Sequence, residues 1–315
     1  MPELGVRDVL VEVALCGVCG TDVHIVDGEY PLVKPPRVLG HEFSGTVRGV
    51  GSGVTNVQSG DRVAIDPTLS CGACFYCRQG LLLMCDKRVP HHGGLGEFAV
   101  LPEQTVYPLP AGVSLEVAAL AEPLSCCLHT IDLSGIRPGD RVAVVGAGTI
   151  GLMLLQLARR AGATRILVSE PSAAKREIAQ RLGADVLVDP LHEDVQAAAR
   201  DMCGGRGVDV AIEAVGARQT VMDAIALPRR AGTVVLMGVA SPTTEVPLRP
   251  FDVFERELTI KGAYIRGFEF QRTVELLPVM ELQSLITDRF PLSEAAAAVD
   301  NVKSGHGIKT VVQPH

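Results

Sequence analysis

The hydrophobic rhythm of the chain changes near residue 125. Ahead of that point the apolar positions come in short runs. "DVLVEVAL", "GTVRGVGSGV", "GDRVAI", "GEFAVLP" and "TVYPLP" are each bounded by Gly, Asp or Pro. Runs of this length between turn formers predict strands, and the density of Gly and Pro favours a barrel-like β domain. Beyond it, "DRVAVVGAG" is an apolar run closed by glycines, and "TIGLMLLQLARRAGA" repeats its apolar positions at helical spacing. "RILVSEP", "VLVDP", "VDVAIEAVG", "GTVVLMGV" and "LTIKGAY" supply further strands. Helical stretches such as "SAAKREIAQRLGAD" lie between most of them. Strands alternating with helices predict a parallel sheet with right-handed crossovers. Two helix-like segments, "TVELLPVMEL" and "LSEAAAAVDNV", and a strand, "IKTVVQ", complete the chain.

The 315 residues suffice for two ordinary domains. Apolar residues make up 47% and charged residues 21%, the balance of a globular protein. Net charge is -7 and the pI about 5.6, which argues against a nucleic-acid partner. Trp is absent and aromatics reach only 4%, so the core must be aliphatic. The start shows no basic segment followed by an apolar one. The stretch around "GTIGLMLLQLA" is too short and glycine-rich for a membrane span, so a cytoplasmic location is expected. Nine cysteines, mostly clustered, then point to metal or catalysis rather than disulfides.

"VAVVGAGTIG" spaces Gly146, Gly148 and Gly151 as G-x-G-x-x-G, after a strand and at the opening of a helix that starts with Thr149 and Ile150. That context makes a weak motif a specific one. Gly146 serves the tight turn, Gly148 the approach of a pyrophosphate, and Gly151 close helix–strand packing. The helix N-terminus then offers free N–H groups to the phosphates. Glu170 ends the next strand where a carboxylate holds the ribose hydroxyls and repels a 2′-phosphate, favouring NAD over NADP. Lys175 and Arg176 nearby pull the other way. The strand ends at "EAVG", with Val215, and "MGVA", with Gly238 and Val239, are expected to line the nicotinamide.

"CGACFYCRQGLLLMC" holds Cys71, Cys74, Cys77 and Cys85, a spacing suited to a closed tetrahedral zinc. An iron–sulfur cluster is the alternative, although Asp86 stands where such runs usually carry Pro. A closed site shapes a loop and does no chemistry. A second, open metal site draws its candidates from Cys19, His41, Glu42 and Glu122. Cys16, three residues before Cys19, also permits a Cys-x-x-Cys redox pair. Cys126 and Cys127 read as small buried hydrophobes, and Cys203 as a thiol that an exposed loop could carry.

In order, "CGVCGTDVH", "GHEFSGTVRGVGSGV", "GDRVAI", "CGACFYCRQGLLLMC", "GEFAVLP", "EPLSCCLHT" and "GDRVAVVGAGTIGL" resemble the zinc-dependent medium-chain alcohol and polyol dehydrogenases. The resemblance spans nearly the whole chain and is nearest the sorbitol, butanediol and threonine dehydrogenase branches. It implies an α/β fold: a GroES-like β-barrel catalytic domain over 1–125, a doubly wound parallel-sheet Rossmann domain over 126–264, and a return to the catalytic domain over 265–315. It also implies two zinc ions, one catalytic and one structural, with NAD as cofactor. Cys19 and His41 match catalytic zinc ligands, with Glu42 or Glu122 as the third. Thr21 matches the hydroxyl beside the substrate oxygen, His24 the relay histidine, and Lys309 a basic residue on the pyrophosphate. On this parsing Cys16 is a small strand residue rather than half of a redox pair. A homodimer or homotetramer is implied, with "LTIKGAY" at the seam.

Two departures stand out. Members carry roughly 25 residues ahead of the segment matching "VLVEV", so the sheet here risks an open, association-prone edge. Ile265 and Arg266 fall where animal sorbitol dehydrogenases have an Arg-Tyr pair, so sorbitol itself is not implied. The expected reaction is NAD-linked oxidation of a small-molecule secondary alcohol or polyol to a ketone. A threonine-dehydrogenase-like oxidation of a β-hydroxy amino acid and a non-catalytic NAD-binding relative are the alternatives.

Overall fold

The computed structural model describes residues 3–29 and 36–315. The chain divides into two compact units. One comprises residues 1–125 and 266–315, the other 126–265. Ile265, read from the sequence with the return segment, clusters with the second unit.

The first unit opens with strand β1 (Asp8–Gly17) and helix α1 (Gly20–Val26). Strands β2 (Glu42–Val50) and β3 (Arg62–Ile65) follow, then a two-strand ribbon of β4 (Thr68–Leu69) and β5 (Val89–Pro90). Helix α2 (Phe75–Arg78) lies in the excursion between the ribbon strands. Next come β6 (Phe98–Pro102), β7 (Val106–Pro108), α3 (Leu115–Ala119) and α4 (Ala121–Ser134), whose later turns belong to the second unit.

β1 is paired on both flanks. β2 covers one side along its length, while β6 takes Asp8 to Glu12 on the other. Among the described residues β1 is therefore an inner strand rather than an edge. Its alternation places Val9, Val11 and Val13 in one aliphatic core with Phe43, Val47, Val63 and Leu101, and a register shift between Val13 and Leu15 brings Cys16 into it.

The second unit builds a six-stranded parallel sheet. It runs β8 (Arg141–Val145), α5 (Thr149–Ala161), β9 (Arg165–Ser169), α6 (Ala173–Arg181), β10 (Val186–Val188) and α7 (Val195–Met202). It continues through β11 (Val208–Glu213), α8 (Arg218–Ala226), β12 (Pro228–Leu236), α9 (Pro250–Glu255) and β13 (Thr259–Gly262). The spatial order β10-β9-β8-β11-β12-β13 reverses between β8 and β11, and ligands of such sheets bind beyond the strand ends at that switch point. Val142, Val144 and Leu167 are fully buried, as strands covered on both faces require. Cys203 is fully buried in this core, correcting its reading as an exposed thiol.

The return segment adds α10 (Glu269–Leu276), β14 (Ile286–Pro291), α11 (Ala295–Lys303) and β15 (Lys309–Gln313) to the first unit. β15 pairs β1 at Cys16 and Gly17, so the chain's last strand reaches the region of Cys19. The helix predicted across "TVELLPVMEL" stops at Leu276 and tightens to a 3-10 turn, because Pro278 lacks the N–H that would continue it.

Candidate active site

The first unit gathers its polar chemistry where β1, α1, β2 and β15 meet. Cys19 is the N-cap of α1, with its thiol 3.7 Å from the Thr21 hydroxyl. His41 precedes β2 and Glu42 begins it. One donor atom each from Cys19, His41 and Glu42 lies within 4.8 Å of the others. Thiolate, imidazole and carboxylate are the donors zinc takes, and three protein donors leave a position open. The fit has a second sign. Glu42 is 2% exposed, and its Oε2 is paired by charge with Lys309 but has no partner of sound hydrogen-bond geometry.

Supporting groups hold this set. Asp22 is fully buried and accepts from the backbone N–H groups of Cys19 and Gly40. Its Oδ1 faces His41 Nδ1 at 3.5 Å, the carboxylate–histidine arrangement that fixes a ligand's ring. Burial pushes the His41 imidazole down, but Asp22 and Cys19 outweigh it, leaving the group well above its usual value. The His92 ring lies 5.6 Å from that of His41. Burial, then the His41 and Arg37 charges, push it down to about 4. Asp22, His41 and His92 form a further close donor group.

Glu122 is not in the Cys19 group. It sits in the first turn of α4 and accepts from Arg266 Nη1 at 2.6 Å. Arg266 is 2% exposed, and its remaining nitrogens reach Asp66 and Thr68. Burial raises the Glu122 carboxyl above the usual range, with Arg266 opposing. Lys309 lies beside the Cys19 group. Read as a pyrophosphate ligand, it is 4% exposed, and its ammonium donates to the Val18 carbonyl and pairs with Glu42. A buried ammonium is costly unless paired, and Glu42 is its partner. His24 lies on α1 with Nδ1 2.8 Å from Glu29.

Cys71, Cys74, Cys77 and Cys85 bring their sulfurs within 4.8 Å of one another. The backbone N–H groups of Cys71 and Lys87 both point at the Cys85 sulfur, at 3.4 Å. Backbone bonds, first from Ala73, lower the Cys71 thiol to about 6, which suits a thiolate donor. Four thiols fill a tetrahedral ion and leave no open position. Cys16, by contrast, is pushed well up by burial and lies in the core, as expected of a small strand residue.

In the second unit the glycine positions suit a dinucleotide. Gly146 has φ +99°, a conformation that favours glycine. A Cβ on Gly151 would stand 2.0 Å from the Gly146 carbonyl oxygen, whereas one on Gly148 would meet nothing within 4 Å. The α5 N-terminus, with Thr149 and Ile150 in its first turn, is thus open to an anion. Glu170 follows β9; Oε2 accepts from Ala147 N at 2.8 Å and Oε1 from Ser172 N at 2.9 Å. The Lys175 amide donates to Ser172, the N-cap of α6. Val215 and Val239 stand exposed just past β11 and β12, and Gly238 lies where a Cβ would strike Gly216 N. Among the described residues, no helix is long and apolar enough to cross a membrane.

Sequence reading missed Asp22, Asp66 and the pairing role of Arg266. Asp22 was legible in "CGTDVH", three residues after Cys19; the others are joined only by the fold.

Comparisons with known proteins show the family. Residues 5–111 match the model of the alcohol dehydrogenase GroES-like domain, and residues 149–281 that of the zinc-binding dehydrogenase. D-arabinitol dehydrogenase 1 of Uromyces fabae is 34% identical, over 100% of this chain and 92% of its own length. A probable D-xylulose reductase A of Aspergillus clavatus is 36% identical, over 99% and 91%. Among solved structures, a zinc-binding dehydrogenase from Sinorhizobium meliloti 1021 bound to NADP superimposes with TM-score 0.95 at 39% identity, covering 99% of this chain and 94% of that one. The chain therefore belongs to the zinc-binding alcohol dehydrogenase family, with a GroES-like domain and a Rossmann-like domain, and is an oxidoreductase of that family.

Proposed function

We propose that the protein oxidises a secondary hydroxyl of a neutral polyol to a ketone, with NAD as acceptor, and catalyses the reverse reduction. Cys19, His41 and Glu42 would hold the catalytic zinc, with Glu122 beside them, and Cys71, Cys74, Cys77 and Cys85 the structural one. Bound zinc supplies a Lewis acid that eases loss of the hydroxyl proton, and bound nicotinamide takes the hydride. The chain's own residues manage the proton. The Thr21 hydroxyl accepts it from the substrate and passes its own toward His24, whose ring nitrogens can take it up and release it to water. Glu29 orients that ring. Gly146, Gly148 and the opening turn of α5 receive the pyrophosphate, and Glu170 the ribose hydroxyls.

The observation that carries the choice of substrate is Arg266. Its buried guanidinium is spent on Glu122, Asp66 and Thr68, so it has no free fork for the carboxylate of a β-hydroxy amino acid. Polyol relatives such as the arabinitol dehydrogenase and xylulose reductase support the same reading. Retention of Cys19, Thr21, His24, His41 and Glu42 argues against a non-catalytic relative. We also take β13, which pairs only β12 among the described residues, as the seam of a homodimer or homotetramer, and the cytoplasm as the location. The test is NADH formation by the zinc-supplied protein across polyols, vicinal diols, simple secondary alcohols and β-hydroxy amino acids. Polyols should lead. Threonine as the best substrate would overturn the substrate class, and no turnover of any would overturn the activity.

A further inference from the structure

The cofactor reading rests on Glu170, yet two cations follow it closely, Lys175 and Arg176. An arginine in that place is an obvious reader for a 2′-phosphate, because its planar fork matches phosphate oxygens. The structure shows what occupies this one. Arg176 Nη1 donates to the Glu170 carbonyl at 2.7 Å and to the Pro171 carbonyl at 2.8 Å. The same nitrogen lies 3.1 Å from Asp189 Oδ2, and both side chains are largely covered, 20% and 16% exposed.

Asp189 is well placed to do this. It follows β10, and the neighbouring strand β9 is followed by Glu170, whose N–H donates to the Val188 carbonyl at 3.0 Å. The two carboxylates therefore stand at adjacent strand ends. Asp189 is itself fixed: Oδ1 accepts from Leu191 N at 3.0 Å, and His192 Nδ1 lies 3.3 Å from Oδ2. One acid thus stands where the ribose is expected, and the other lies against the arginine beside it.

We propose that Asp189 is a positioning residue for cofactor choice, tethering Arg176 beneath the Glu170–Pro171 turn and so keeping a guanidinium from the 2′ position of the adenosine ribose. The inference deepens the NAD reading and rests on it. Glu170 repels a 2′-phosphate, and Asp189 withholds the compensating charge.

Equilibrium fluorescence titration with NADH and NADPH tests this without turnover, on the wild type, Asp189→Asn, Asp189→Glu and the double variant Asp189→Asn/Arg176→Gln. The wild type should prefer NADH. Asp189→Asn removes the ion-pair partner and leaves the two carbonyl bonds as the remaining hold on the guanidinium, which can then exchange them for one charge-assisted phosphate contact, tightening NADPH about tenfold with NADH changing far less. Asp189→Glu should retain the tether and the wild-type ratio. The double variant should lose the NADPH gain, which a general loosening of the loop would not do. An unchanged ratio of the two dissociation constants in Asp189→Asn, or equal changes in both, overturns the tether while leaving the NAD reading intact. A gain that survives Arg176→Gln overturns it as well. Wild-type preference for NADPH overturns both, and failure to bind either dinucleotide overturns the cofactor site itself.

Discussion

Replacing Arg266 with methionine is the sharpest test of how the first unit is held together. The substitution keeps a long apolar stem and removes the guanidinium. Glu122 and Asp66, with side chains only 9% and 14% exposed, then both lose the guanidinium they contact. Removing one member of a buried ion pair typically costs about 3–5 kcal/mol, mostly from the charge left behind. For a folding unit of roughly 150–250 residues each kcal/mol lowers the melting temperature by about 2–4 °C, so a fall of about 6–20 °C is expected. The pH dependence carries a sign. Burial already holds the Glu122 carboxyl above the usual range, and Arg266 is what opposes it. Without Arg266 the carboxyl keeps its proton to still higher pH, where the neutral form needs no partner. The deficit relative to wild type should therefore be largest in alkaline buffer and shrink as the pH falls. Glu122→Gln in the Arg266→Met background should recover part of the loss. Melting curves of the zinc-loaded variants across pH decide it. A fall under about 2 °C at neutral pH, or no recovery from Glu122→Gln, would refute the view of Arg266 as the cation that makes two buried acids tolerable.

Cys19→Ser should abolish turnover and lower the zinc content by one ion per chain, while NADH binding survives; normal activity with full zinc would remove Cys19 from the metal. Cys74→Ser should lose the other ion and lower the melting temperature, with inactivation following unfolding of the lobe rather than preceding it. Gly151→Ala should abolish NADH binding and destabilise the second unit by about 1–3 kcal/mol, since its Cβ would overlap the Gly146 carbonyl and force the helix outward. Unchanged NADH affinity would show that α5 can move away without harm. Acidification of zinc-free protein should erode stability as the pH falls from the ordinary histidine range toward 4, because His92 is held neutral when folded and takes up a proton only on unfolding. His92→Asn should flatten that slope, as read by melting temperature against pH.

Most of the second unit was legible because each element carries its own signal. Apolar runs such as "RVAVV" and "RILVS" are strands buried on both faces, and Gly146 and Gly151 are demanded by backbone approach rather than by anything remote. The four-cysteine lobe was legible for the same reason, since its donors lie within one short excursion. The first unit was harder. The helix α1, which positions Cys19, Thr21 and His24, is only seven residues long and has too few turns for a period. The helix carrying Glu122 follows α3 with a single residue between them, so neither end is marked by a turn signal. The strand β14 has a half-exposed, charge-bearing pattern, "ITDRFP", that resembles a loop.

The deepest limit was pairing across the chain, and it has one physical form. The buried acids of the site, Glu42 and Glu122, come from the first 125 residues, and the cations that neutralise them, Lys309 and Arg266, come from the return segment. Neither half could bury its share alone, because an isolated charge out of water costs far more than one apolar contact returns. The discontinuous domain is therefore coupled by charge as well as by β1–β15 pairing. This is also why a basic residue near the C-terminus, expected by resemblance on the pyrophosphate, is paired here with the acid beside the metal donors. Sequence shows that a lysine is present. Only the fold shows which carboxylate has already claimed it.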